Sequence, residues 1–205
     1  MKVKAVINKP EIKLDSTGKS SVVSAVVIFS GVIAGIALYI VSDEALLEDL
    51  GNRFILFANE FINKNKPEIF SGLIFQDIIY CAFMLVFAFC IFGTPIVFLL
   101  SFIKAMGLGL LTTYIYDIYA LKGIEYCLLV IFPGKLILIF AMILLTQNCY
   151  VNSTQMTKKL LYQSDGGVSL KKYILRTQII LIVIIISSIT DFITLNSFSS
   201  LFGFI

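Results

Sequence analysis

The sequence predicts an all-α protein, a polytopic integral membrane helix bundle with about five transmembrane helices and one outer amphipathic helix. Of its 205 residues, 59% are hydrophobic and only 14% are charged, whereas soluble chains are about 45–50% apolar and about 25% charged. Apolar runs of about 20 residues, the length that crosses about 30 Å of hydrocarbon, recur along the chain. This pattern predicts a single transmembrane domain over residues 21–205.

The chain begins with a polar, basic segment, residues 1–20, which leads into the first apolar run. Its lysines are Lys2, Lys4, Lys9, Lys13 and Lys19. The apolar run is longer than that of a signal peptide, and no clear small-residue cleavage site follows it. We therefore expect a cytoplasmic N-terminal segment and a first span, 21–41, that is retained as an anchor.

Five spans are predicted, and the turn between the second and the third needs an argument. Residues 73–121 form one apolar block, which is too long for a single crossing. The turn lies either at Lys104 or at Gly93-Thr94-Pro95, and the second position is favoured because Gly can close one helix and Pro can start the next. The predicted spans are 21–41, 73–92, 95–121, 123–146 and 174–194.

The positions of Lys and Arg predict which loops are cytoplasmic. With the N-terminus inside, ten of the 16 basic residues lie in segment 1–20, in loop 147–173 or at Arg176. The four outer ones are Arg53, Lys64, Lys66 and Lys122. Since basic residues gather on the cytoplasmic side, we expect a multi-pass protein of the cell membrane with its C-terminus outside. The net charge of +3 follows from this topology, and nucleic-acid binding has no support.

The outer loop, residues 42–72, is predicted to contain the amphipathic helix. Its apolar residues recur at helical spacing, and acidic and amide residues supply the other faces. Two interpretations remain open: the helix lies on the membrane surface or on the bundle, or its apolar face docks an extracytoplasmic partner. The candidate docking residues are Leu50, Phe54, Phe57 and Phe61.

Small residues inside the spans predict close helix packing. Gly31 and Gly35 form a small-xxx-small pattern in the first span, which serves either packing within the chain or assembly into a homo-oligomer. Gly107 and Gly109 lie in a stretch of the third span that has few bulky side chains and can admit a neighbouring backbone.

Lys104 is a charged residue inside a predicted span, and such a residue needs a partner or water. Asp77, Asp117 and Glu125 are the candidate partners, but the last two should lie nearer the outer surface. No clear match results, so the long Lys104 side chain is expected to carry its ammonium group back toward the cytoplasmic surface.

Lys135 is the second intramembrane charge, and it follows Pro133 and Gly134 in the fourth span. Proline removes an intrahelical hydrogen bond, so this helix should be kinked or unwound around Pro133. The break either shapes the bundle only or forms a polar pocket with Lys135 and Lys104, as broken helices do in transporters.

No pattern for catalysis, a cofactor or a metal ion is recognised. The chain has no histidine, so serine-based hydrolysis would lack its usual base. The four cysteines show no short metal-type spacing and are interpreted as free thiols in apolar runs. They are Cys81, Cys90, Cys127 and Cys149. We expect a protein that is not an enzyme and that holds no cofactor and no metal.

An ordered set of glycines, prolines and one lysine runs through the middle of the chain. It consists of Gly93, Pro95, Lys104, Gly107, Gly109, Gly123 and Pro133. This set resembles the stage II sporulation protein M family, and the predicted spans, inside N-terminus and single large outer loop agree with the likeness.

The resemblance implies a membrane scaffold for forespore engulfment during sporulation. Such a scaffold anchors peptidoglycan-degrading partners, stage II sporulation proteins D and P, at the septal membrane among the membrane lipids. The alternative from the residues themselves is a small transporter or exporter component. Its polar site would lie at the broken fourth helix and would bind a small anion through the buried lysines.

Overall fold

A computed structural model of the chain describes residues 14–63, 66–90, 92–162 and 170–198, and every regular element in these ranges is helical. The elements are α1 (Leu14–Val41), α2 (Glu44–Asn63), α3 (Lys66–Ala88), α4 (Gly93–Tyr126), a π-helical segment (Cys127–Ile131), α5 (Phe132–Tyr162) and α6 (Leu170–Phe198). The predicted all-α fold class is confirmed.

Four helical stretches of the described chain are long and apolar enough to cross a membrane. They are Ser20–Val41, Lys66–Ala88, Gly93–Thr157 and Tyr173–Phe198. The outward faces carry exposed aromatic side chains such as Phe29, Phe75 and Phe140, whereas the polar Asp77 and Ser101 are buried. A bundle that exposes apolar side chains and buries polar and charged ones suits a lipid surrounding, and the prediction of a membrane helix bundle is confirmed.

The third of these stretches is a helical hairpin. Its 65 residues would extend about 98 Å as one straight helix, about three times the hydrocarbon thickness. Instead α4 and α5 run antiparallel, since contacts pair the start of one with the far part of the other. The pairs are Thr94 with Ser153, Phe98 with Tyr150, and Ser101 with Thr146. The predicted third and fourth spans are thus separate helices, while the number of membrane crossings stays a prediction.

The hairpin turns at Ala120, whose φ of 48° and ψ of −124° are not helical. A positive φ is uncommon for a residue with a Cβ, so the regular helix is interrupted there. Three residues later Gly123 comes so close to the part of α4 before the turn that a Cβ would overlap the carbonyl oxygen of Ile115. The turn lies next to the boundary predicted between spans 95–121 and 123–146.

A second tight turn joins α3 to α4. The Gly93 N–H donates to the Cys90 carbonyl over 3.0 Å, and a Cβ at Gly93 would overlap the Phe87 carbonyl oxygen. The turn therefore requires glycine, and Pro95 lies in the first turn of α4, where its missing N–H is tolerated. The structure has its turn at Gly93 and continues as helix through Lys104.

Several helices extend beyond the predicted spans, α3 and α5 among them. Helix α3 begins at Lys66 rather than at residue 73, so part of the expected outer loop 42–72 belongs to it, and α2 fills most of the rest. Helix α5 continues to Tyr162 rather than ending at residue 146. Hydropathy marks only the apolar part of a helix, because backbone hydrogen bonding continues into polar residues beyond the hydrocarbon.

Helix α1 packs mainly against α4, through a close crossing of glycines. A Cβ at Gly31 would lie 2.6 Å from the Phe102 carbonyl oxygen, and one at Gly35 would overlap the Met106 carbonyl oxygen. From the other side, a Cβ at Gly109 would overlap the backbone of α1. The Gly31 and Gly35 motif therefore packs within the chain, and α4 occupies the face that a homo-oligomer would need.

Substitution of Gly35 tests this crossing. We expect Gly35→Leu to destabilise the protein by about 1–3 kcal/mol or more, because the new side chain must push α1 away from α4. The free energy of unfolding in detergent is the measurement. Gly72→Leu is the matched control, since a Cβ at Gly72 would meet nothing within 4 Å. Equal stability of the two variants would contradict the crossing.

Candidate functional site

A cavity of about 410 Å³ lies inside the bundle. Most of its wall is apolar, but four helices each contribute one charged side chain to it. These are Asp77 of α3, Lys104 of α4, Lys135 of α5 and Asp191 of α6. Arg53 of α2 also lines it, and the Arg53 side chain is largely exposed. The cavity is therefore not fully enclosed. We refer to it as the charged cavity.

Lys104 forms an ion pair with Asp77, and the distance from Nζ to Oδ1 is 3.2 Å. The Ser188 hydroxyl donates to the other oxygen of the same carboxylate over 3.3 Å. The Lys104 ammonium also lies 5.4 Å from the centre of the Tyr80 ring, a favourable cation–π distance. The expectation that Lys104 has no clear partner and reaches to the cytoplasmic surface is therefore wrong, because the packing of α3 beside α4 brings Asp77 to it.

Lys135 forms the second ion pair, with a distance of 2.7 Å from its Nζ to Oδ2 of Asp191. The preceding residue makes this contact possible, because a Cβ at Gly134 would overlap the Asp191 carboxyl group. Gly134 thus lets α6 approach the backbone of α5, and Lys135 supplies the opposite charge at that point.

The helix break predicted at Pro133 takes the form of the π-helical segment just before it. The Phe132 N–H donates to the carbonyl of Cys127, five residues earlier, as in a π-helix. The irregular backbone therefore lies at Cys127–Ile131, and Pro133 itself occupies the first turn of α5. A proline is tolerated there because the π-helical turn shifts the hydrogen-bond register that its ring interrupts.

Hydroxyl groups of α6 bind the backbone on both sides of Pro133. Thr194 donates to the Val130 carbonyl over 2.9 Å, and Ser187 donates to the Gly134 carbonyl over 2.8 Å. Inside a membrane, neighbouring Ser and Thr side chains satisfy backbone groups where a helix is irregular. These bonds attach α6 beside the break and hold Asp191 in front of Lys135.

Gly107 does not admit a neighbouring backbone, contrary to the expectation from its spacing with Gly109. A Cβ at Gly107 would meet nothing within 4 Å, and the residue lines the charged cavity. Two residues along an α-helix differ by about 200° in direction. Only Gly109 can therefore face α1, and Gly107 leaves unfilled space on the other side of α4.

Helix α2 packs on the bundle through part of its surface. Leu50 is half-buried, packs against the buried cluster around Tyr114 and lines the charged cavity, so this candidate docking residue faces its own chain. Leu56 is 62% exposed and belongs to the free side of the helix. Phe54, Phe57 and Phe61 belong to α2, but their side chains are not among those that the structure describes, and their docking role stays a prediction.

Asp191 was not among the site residues predicted from the sequence. An acidic residue inside a predicted span is rare and indicates pairing or function, and Ser187 and Ser188 precede it by one turn. A buried lysine in one span also predicts a carboxylate in another, because a lone charge in a medium of low dielectric constant is costly. From these two observations, Asp191 could have been predicted as an ion-pair partner of Lys135.

A double-mutant cycle tests the buried pair of Lys135 and Asp191. Lys135→Met alone should cost about 3–5 kcal/mol of unfolding free energy, because it leaves the buried Asp191 carboxylate unpaired. Lys135→Met with Asp191→Leu should recover much of that loss. The exposed pair of Arg53 and Asp49 is the control, and its removal should cost at most about 1 kcal/mol. Additive effects at Lys135 and Asp191 would contradict the pairing.

The family comparison agrees with the resemblance described above. The family model described as stage II sporulation protein M matches residues 24–193. This match extends from α1 to α6 and includes all five charged residues of the cavity wall. Searches of curated proteins and of solved structures found no match. The chain belongs to the stage II sporulation protein M family.

Proposed function

We propose that this protein is a non-enzymatic membrane scaffold for forespore engulfment, which anchors peptidoglycan-degrading proteins at the septal membrane during sporulation. Membership of the stage II sporulation protein M family carries the proposal, since the family model covers most of the chain, residues 24–193. The proposed partners are stage II sporulation proteins D and P.

The proposal places α2 on the side of the membrane where the cell wall lies. The count of basic residues supports an inside N-terminus and an outer position for α2. Helix α2 follows the first apolar stretch after a short break, and it exposes Leu56 beside polar residues. An exposed apolar side chain on an amphipathic helix can contact either a partner protein or the lipid surface.

A scaffold of this kind acts by determining where the hydrolases are located. A hydrolase that is held at the membrane has a high effective concentration at the adjacent wall and a low one elsewhere. The bundle suits this task because its helices are fixed to each other by the glycine crossing of α1 and α4 and by two buried ion pairs. The anchor then keeps α2 at a constant height above the membrane.

Disruption of the gene in its own host tests the sporulation role. We expect cells that arrest with a flat or bulging septum and an unengulfed forespore, because the wall-cutting proteins lose their anchor. Membrane-dye microscopy under sporulation conditions is the measurement, and the intact gene should restore engulfment. Normal engulfment in the disrupted strain would overturn the proposal.

The docking role of α2 is tested by co-purification with stage II sporulation proteins D and P. Leu56→Glu should release the partners, because it puts a charge into the proposed apolar contact while the protein remains inserted. Lys122→Gln is the control, since it changes the net charge by the same amount at an exposed site outside α2. Partner recovery that is equal for both variants would contradict docking through α2.

A second candidate function is a small transporter or exporter component, and the charged cavity beside the π-helical segment supports it. It predicts uptake or release of a small solute by the purified protein in vesicles. Lys135→Met should abolish this flux by removing one charge of the cavity. Flux through the Lys135→Met protein at the original rate would exclude a role for this cavity in transport.

A further inference from the structure

We propose that the charged cavity is a binding site for a small zwitterion, a molecule that carries an ammonium group and an acidic group and has no net charge. The inference does not rest on the scaffold role, because it concerns only the interior of the bundle. Its evidence is the combination of an open cavity, two ion pairs on its wall and the charge balance between them.

The cavity is a space that the fold leaves open. Protein interiors are normally close-packed, yet a side chain at Gly107 would meet nothing within 4 Å on the cavity wall. The volume of about 410 Å³ falls within the usual range of small-molecule sites, about 300–1,000 Å³. The wall also has their usual composition, mostly apolar with a few polar groups placed close together.

The two ion pairs on this wall carry a free-energy cost that apolar side chains would not. Buried ion pairs often stabilise a fold no better than apolar residues of the same volume, because both charges lose their hydration. This bundle has two such pairs, each from a different pair of helices, around one open space. Ionisable groups inside membrane proteins typically mark the route or the site of a polar ligand.

The charge balance selects the class of ligand. Lys104 and Lys135 are each compensated by an aspartate. Arg53, the fifth charged residue of the wall, is compensated by Asp49, so the ion pairs at the cavity are neutral together. A bare anion or a bare cation would add one uncompensated charge to an apolar interior, whereas a zwitterion adds none. The structure thereby revises the expectation of an anion, which followed from lysines that had no assigned partners.

Accessibility predicts how the zwitterion is held. The Lys104 and Lys135 side chains are 20% and 26% exposed, and their aspartates are 7% and 6% exposed. The acidic group of the ligand can therefore accept hydrogen bonds from the two ammonium groups at the cavity surface. Its own ammonium group is attracted by the negative charge of the two aspartates behind the lysines, and an apolar remainder lies against Leu108 and Leu111.

This chemistry is available from two sources. A free amino acid with an apolar side chain has it, and so does the headgroup of phosphatidylethanolamine, which joins a primary ammonium to a phosphate. An amino acid would enter from the aqueous phase, past the exposed Arg53 side chain on the cavity wall. A lipid would enter from the bilayer and would leave its acyl chains outside the cavity.

Binding to the full-length protein in detergent tests the proposal with three probes of one shape. The probes are leucine, its uncharged-acid analogue leucinamide, and 4-methylpentanoate, which lacks the ammonium group. Calorimetric titration should show leucine binding at least about tenfold more tightly than either analogue, as expected for the loss of one charged contact. The lipid arm compares native mass spectra in nanodiscs of phosphatidylethanolamine, phosphatidylcholine and phosphatidylglycerol, and only the first should remain bound.

A cavity-filling variant shows where the zwitterion binds. Gly107→Phe should weaken binding of the preferred probe by about tenfold or more, because the ring occupies the ligand space. Gly72→Phe is the matched control, since Gly72 is another helical glycine with open space around it that does not line the cavity. The comparison of probes on the unaltered protein remains decisive if Gly107→Phe does not fold.

Preference for leucine or for phosphatidylethanolamine, lost in Gly107→Phe, supports the proposal and identifies the source. Equal binding of leucine and 4-methylpentanoate would overturn it in favour of an anion site. No binding of leucine and no retained phosphatidylethanolamine would overturn it altogether. Equal loss in Gly107→Phe and Gly72→Phe would place binding outside the cavity. None of these results depends on engulfment, so failure here and failure of the scaffold role are distinguishable.

Discussion

Each of two lysines in this bundle lies in an apolar surrounding and has an aspartate as its partner. An ammonium group without a carboxylate would be costly at such a position, and a carboxylate alone would be equally so. The need to pair each buried charge explains much of the packing inside the bundle. Gly134 is needed because the Asp191 carboxyl touches the backbone of α5, and Ser188 supports Asp77 from the opposite helix. The two pairs therefore fix the rotation and depth of four helices at once.

Besides the ion pairs, glycine contacts and hydroxyl hydrogen bonds hold the helices together. Lipid tails are as apolar as the side chains themselves, so the hydrophobic effect does not drive helices together in a membrane. They associate through close backbone approach and polar bonds instead. The crossing of α1 and α4 is of the first kind, with Gly35 and Gly109 on opposite sides. The bonds from Ser187 and Thr194 to the backbone beside Pro133 are of the second kind. The charged cavity lies where these contacts stop and no side chain fills the space.

Sequence patterns predicted the elements of this fold far better than the contacts between them. The length of a membrane crossing divides a long apolar run into helices, and this limit placed turns near Gly93 and near residue 122. The same pattern contains no information on how each helix is rotated about its axis. For that reason Lys104 had no clear partner, Asp191 was overlooked, and Gly107 was grouped with Gly109 although they face opposite sides of α4. The π-helical segment, too, depends on bonds from α6 that a single helix pattern does not contain.

The two ion pairs also bear on how the chain enters the bilayer during synthesis. Asp77 and Lys104 come from helices that follow one another, α3 and α4, and Lys135 and Asp191 come from the next consecutive helices, α5 and α6. Each helical hairpin thus contains both members of its own pair. A hairpin that leaves the insertion machinery as a unit exposes no unmatched charge to the lipid, because the opposite charge arrives with it. The order of charged residues along the chain therefore suits insertion two helices at a time, before the cavity between the hairpins exists.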